Sequence, residues 1–227
     1  MQYQTVTQTG TLATEQNKVL RNTYMMLALT MIPTVIGAFA GMSINFSFMA
    51  ASPIMSSLLM FGAMIGMMFA VSALRNSVWG IAALLGFTFV AGVFLGPILQ
   101  VALNFKNGAE LIGMAAGGTG IIFFSLATLA TVTKKDFSFM GKFLFIGLIL
   151  LIVASLANLF FQIPALSLTI SAIGVLLFSA YILFDVSRIV NGGETNYVMA
   201  TLGLFLSIYN LFISLLQLLM AFSGERD

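Results

Sequence analysis

Cysteine and histidine are both missing from this chain of 227 residues. Their absence removes disulfides, thiol nucleophiles, imidazole acid–base chemistry, and zinc or haem sites of the usual kind. Charge is scarce as well: lysine, arginine, aspartate and glutamate make up 7% of the chain, where a soluble domain carries roughly 25%. The net charge is +2, and the sequence holds no lysine or arginine run of the kind that binds nucleic acid or anionic lipid. No nucleic-acid partner is expected, and any titratable switch has to use a carboxylate. The signatures of intramembrane catalysis are missing too. An aspartyl protease needs two facing carboxylates, a rhomboid-type one needs serine with histidine, and a zinc one needs HExxH. The chain is expected not to be an enzyme and to carry no metal or cofactor.

What the chain has instead is apolar length: 60% of its residues are hydrophobic. A helix needs about 20 apolar residues to cross a hydrocarbon core of about 30 Å. Runs of that length fall at 23–43, 53–73, 78–103, 109–132, 138–161, 164–188 and 197–222. The expected fold is an all-α integral membrane protein, a bundle of seven transmembrane helices over residues 23–222. A polar cytoplasmic tail (1–22), disordered-looking over 1–17, would precede it and a short stub (223–227) would follow. The N-terminus has no signal-peptide pattern, since Lys18 is its first basic residue, so the first helix is expected to stay in the mature protein. With the N-terminus in the cytoplasm, Lys18, Arg21, Arg75, Lys134, Lys135, Lys142 and Arg188 lie inside, leaving Lys106 and Arg226 outside. An odd number of spans then puts the C-terminus outside; a re-entrant last segment would keep it inside.

Small-xxx-small pairs occur in each of the first four spans: Gly37 with Gly41, Gly62 with Gly66, Gly92 with Gly96, and Gly113 with Gly117. Such stripes let a second backbone approach closely, and these four helices are expected to pack tightly together. Pro33 and Pro97 fall inside spans, where a missing N–H and a ring clash should kink the backbone, and Gly96-Pro97 is the expected hinge. Pro53 and Pro164 suit helix starts. The methionines between Met55 and Met68 read as packing. In the loop NGGETNYV, Gly192-Gly193 supply a turn and Thr195 is the expected N-cap of the last helix.

That last helix carries Gly203, Ser207, Asn210, Ser214 and Gln217 at offsets that place them along one face. A polar stripe of this length would leave amides unsatisfied in lipid, so it should point into the bundle and make the seventh helix central. It is either a seam that holds helices together or the lining of a hydrated pathway.

Asp185 is an acidic residue inside the sixth run, and insertion scales put a carboxylate at roughly 2.5 to 3.5 kcal/mol at a helix centre. One reading is an interfacial ion pair with Arg188, one turn on, that merely ends the span. The other turns Asp185 inward toward the seventh helix as a pH-sensitive latch, with Arg75 or Arg188 able to hold it ionised.

The segment LFDVSRIVNGGETNYVMATLGLFLSIYNLFISLLQLL (183–219) resembles the closing two helices of the Bax inhibitor-1 family. KVLRNTYMMLALT (18–30), LGPIL (95–99), GGTGIIFFSLA (117–127) and TKKDFSFMGKFL (133–144) are similar to its bacterial YccA-like branch. The resemblance implies a bundle of seven helices built around a central seventh, in the bacterial inner membrane. It also implies one of two roles. Some members are calcium leak channels closed by two aspartates that share a proton between helices six and seven; the YccA-like branch modulates FtsH, a membrane-anchored ATP-dependent protease. Asp185 matches the first aspartate of the leak motif, but Ser207 stands where the second would be. The resemblance therefore implies an FtsH modulator, with membrane lipid and the FtsH complex as partners. The alternative is a cation leak of calcium or protons gated through Asp185 and lined by Ser207, Asn210 and Gln217.

Overall fold

The computed structural model describes the backbone over residues 2–47 and 51–224, and side chains over 16–47 and 51–224. Among the described residues, seven helices are long and apolar enough to cross a membrane. They are α1 (Gln2–Ser43), α2 (Pro53–Leu74), α3 (Val78–Leu103), α4 (Gly108–Thr133), α5 (Gly141–Phe161, entered by the 3-10 turn Ser138–Met140), α6 (Pro164–Val190) and α7 (Tyr197–Ser223). The expected spans agree with these to within a few residues except at the start. There α1 is already helical from Gln2 and its apolar span begins at Gln16, so residues 2–17 are helix rather than a disordered tail. The end of the stub, 225–227, lies outside the described residues.

Local chemistry sets the helix ends. Pro53 and Pro164 occupy first-turn positions of α2 and α6, where no amide is needed. Lys134 and Gln162 end α4 and α5 in the left-handed conformation, at φ 50° and 51°. The helix break expected at Gly96-Pro97 is present: α3 consists of Val78–Phe94 and Gly96–Leu103, separated at Leu95. Pro33 leaves α1 continuous. Hydroxyls inside the spans are satisfied locally, as where Thr34, Thr119 and Ser155 donate to the carbonyls of Thr30, Ala115 and Leu151 at 2.7 Å. In a medium without water this return bond is the cheapest available.

The glycine stripes divide. A Cβ on Gly37 would collide with the Phe89 carbonyl, one on Gly41 with Val93, and one on Gly92 with Thr34, so α1 and α3 are in backbone contact. Gly62, Gly66, Gly113 and Gly117 have nothing within 4 Å of that position. The expectation that all four helices join through glycine therefore holds only for α1 and α3. α4 packs instead on α6 and α7.

The seventh helix is central: it packs on α1, α2, α3, α4 and α6, while α5 rests mainly on α6. Its buried Leu204, Phe205 and Leu211 join Leu84, Phe87 and Ile182 in the core, where Phe87 meets Phe205 edge to face at 5.9 Å. Met64, Met67 and Met68 of α2 pack on the same core. The outer surface is apolar, with Phe69, Ile121, Leu150 and Leu176 exposed, as a lipid-facing surface requires.

Candidate functional site

α6 and α7 run antiparallel and bring two polar stripes face to face. Ser171 donates to the Gln217 side-chain carbonyl at 2.7 Å. Gly174 opposes Ser214, and a Cβ there would fall 2.5 Å from the Ser214 hydroxyl oxygen. Further along, Asp185 meets Gly203 and Ser207. The Ser207 hydroxyl lies 3.4 Å from Asp185 Oδ2 and 3.1 Å from the Gly203 carbonyl, so its single proton is shared between a carboxylate and its own helix. Gly203 leaves that side of the carboxylate uncovered, since a Cβ would stand 3.4 Å from Oδ2. Ser171, Ser207 and Ser214 are all buried. Asn210 donates back to the Leu206 carbonyl at 2.8 Å instead of crossing to α6.

This geometry is a seam. Of the expected stripe, Gly203, Ser207, Ser214 and Gln217 contact α6, and none lines the large cavity described below.

Asp185 faces inward, toward α7, and is half-buried. Its expected ionic partners are elsewhere. The Arg188 guanidinium stacks over Phe184 at 5.5 Å, pairs with Glu194 at 3.6 Å and donates to the Gly193 carbonyl at 3.2 Å. Arg188 thus orders the α6–α7 loop. Arg75 caps the end of α2, where its backbone carbonyl accepts from the Asn196 amide at 3.1 Å. Among the described residues, no cation lies within ion-pairing distance of Asp185.

Four contributors escaped the sequence reading. Ser171 completes the seam; it sits with Gly174 and Asp185 on one face of α6, at the spacings that their partners Gln217, Ser214 and Gly203 have when α7 is read backwards, and that mirrored pattern was the available signal. Asn196, not Thr195, is the N-cap of α7: its side-chain oxygen accepts from Val198 and Met199 at 3.0 Å. Its amide group also bonds Asn76 at 2.9 Å, tying α7 to the α2–α3 turn. Ser187 anchors the α4–α5 loop by donating to the Lys135 carbonyl at 2.9 Å and accepting the Phe137 amide at 3.0 Å. In that loop the Ser138 amide and hydroxyl bond Asp136 and hold its carboxyl below the usual range. Tyr209, on the other side of α7, donates to the Ala91 carbonyl of α3 at 3.0 Å.

Six apolar helices around a polar seventh, with one inward carboxylate in the α6–α7 seam, define a compact integral membrane protein. The family model described as inhibitor of apoptosis-promoting Bax1 matches residues 16–224. The chain belongs to the Bax inhibitor-1 family. It is 41% identical over 203 residues to an Escherichia coli protein named modulator of FtsH protease YccA, covering 89% of this chain and 90% of that one. It is also 43% identical over 205 residues to an uncharacterized membrane protein of Vibrio cholerae, covering 90% of each. A Pseudomonas aeruginosa protein, PA2604, is 42% identical over 211 residues, covering 93% of this chain and 92% of its own.

Proposed function

We propose that this protein associates with FtsH in the bacterial inner membrane and modulates its degradation of other membrane proteins. The observation that carries this is the likeness, across nine-tenths of both chains, to a protein named as a modulator of that protease. A non-catalytic regulator also suits the chain's chemistry: its polar groups are spent holding helices together, and its exposed surface is a helical, apolar one that other membrane proteins can meet. In this reading the N-terminus is cytoplasmic and the C-terminus periplasmic, because that arrangement puts seven of the nine lysines and arginines inside.

The seam argues against the calcium-leak alternative. Asp185 faces a serine hydroxyl, where a shared-proton latch needs a second carboxylate. A lone carboxylate has no like charge to split its titration and offers a divalent cation fewer oxygen ligands.

The test is affinity purification of the full chain from native membranes, together with the half-life of a membrane substrate of FtsH with the protein present and absent. FtsH in the eluate and a lengthened substrate half-life are expected. An eluate free of FtsH, with a half-life that does not respond, would overturn the reading.

A further inference from the structure

Among the described residues, the backbones of α1 and α4 stay apart, and the two helices meet through side chains such as Tyr24 and Phe123. Between them runs a groove of about 1270 Å³, floored by α7 through Phe205 and Tyr209. Its α1 wall extends from Tyr24 to Met42, about 27 Å at 1.5 Å per residue, close to the full depth of the hydrocarbon core. Val35 and Phe39 on one wall and Phe124 on the other are exposed, so the groove opens sideways into lipid. Tyr24 meets Phe123 edge to face at 6.2 Å and sets the separation of the walls at one end.

The lining and the charge at its mouth decide what fits. The walls are apolar side chains over nearly the depth of the hydrocarbon core and the slot is open to lipid along its length, so extended hydrocarbon chains can lie in it without leaving the bilayer.

The Tyr24 end adds charge. Arg21 is one turn before Tyr24 on the same face of α1, and Lys134 is one turn beyond Thr131, which lines the opposite wall. Both cations are exposed, and among the described residues neither is in an ion pair. The nearest acid along the α4 end, Asp136, is turned to Ser138. The two cations are far apart in sequence, so no basic cluster was legible there, yet the fold sets both at one mouth. Basic side chains flanking an apolar slot between membrane helices are the arrangement that holds a phosphate headgroup.

We infer that the α1–α4 groove binds an anionic phospholipid, its acyl chains lying between the helices and its phosphate held by Arg21 and Lys134. Arg21 and Lys134 select for charge, and the groove holds the acyl chains.

The test takes the full chain from vesicles of phosphatidylethanolamine and phosphatidylglycerol, three to one, into mild detergent and counts retained lipids by native mass spectrometry. One or two phospholipids should remain, with phosphatidylglycerol enriched over its share of the vesicle. Each cation removed should cut that enrichment about fivefold, equivalent to about 1 kcal/mol. The double variant Arg21→Gln with Lys134→Gln should therefore return retained lipid to the vesicle ratio. Gly120 lines the groove and faces open space, so Gly120→Leu should lower the number retained without disturbing the fold. Helical circular dichroism checks that each variant is folded. Folded wild-type protein that keeps no lipid, or keeps it at the vesicle ratio, overturns the inference. So does an enrichment indifferent to the double variant, or a lipid count indifferent to Gly120→Leu, which would place the lipid elsewhere on the surface.

Discussion

Adding one methyl group should have opposite effects at two glycines that look alike in the sequence. At Gly92 an alanine Cβ would collide with the Thr34 carbonyl and stand 3.0 Å from the Ala38 amide nitrogen. At Gly96 it would stand 2.6 Å from the carbonyl of Gly41. Carbon contacts are optimal near 3.5 Å, so α1 and α3 would have to part by roughly 1 Å, and a gap of about 0.5–1 Å forfeits a quarter to a half of each dispersion contact. Both colliding groups are backbone, which has no rotamer to change. The cost belongs at the upper end of overpacking, about 3 kcal/mol. At Gly113 or Gly117 the same methyl meets nothing within 4 Å, and replacing glycine within a helix gains roughly 0.5–1 kcal/mol.

The assay is unfolding in mixed micelles with rising dodecyl sulfate, followed by helical circular dichroism. The single tryptophan, Trp79 at the start of α3, gives a second probe. Gly92→Ala should unfold at markedly lower sulfate than wild type, and Gly113→Ala at the same or higher. A Gly92→Ala protein as stable as wild type, or a Gly113→Ala protein that loses as much, would refute the backbone-contact account of α1 and α3.

Gln100 donates to the carbonyls of Met42 and Ile44 at 2.9 Å and so caps α1 from α3. Gln100→Leu should cost about 1–2 kcal/mol and raise hydrogen exchange at the end of α1. Asn196→Ala removes the α7 cap, worth about 1 kcal/mol, and should speed exchange at Val198 and Met199, while Asn196→Asp should keep the cap and lose only the ties to Arg75 and Asn76. If the missing carboxylate is what silences a leak, Ser207→Asp should produce pH-dependent calcium flux in liposomes where wild type is silent. Wild-type flux that disappears in Asp185→Asn would count against that account.

The spans were legible because lipid imposes one requirement on every residue facing it, and a run of about 20 apolar residues meets that requirement whatever its neighbours are. The first span was misjudged at its start because polar residues such as Gln16 can continue a helix that hydropathy has already ended. The centrality of α7 was legible for the complementary reason: Ser207, Ser214 and Gln217 on one face cannot look at lipid. Partner choice was not legible. Nothing in Gly113-xxx-Gly117 distinguishes it from Gly37-xxx-Gly41, since a glycine stripe permits close approach without naming the helix that approaches. The same limit applies to Arg188. Its spacing suits a pair with Asp185, but the Gly192-Gly193 turn brings Glu194 back onto the guanidinium, leaving Asp185 to Ser207. A half-buried carboxylate that meets a hydroxyl on the central helix is sensitive to how α6 and α7 sit against each other. If binding a partner slides α6 along α7, the contact between Asp185 and Ser207 should be the first hydrogen bond in the seam to break, because at 3.4 Å it is already the longest there, while Ser171 and Gln217 at 2.7 Å should hold.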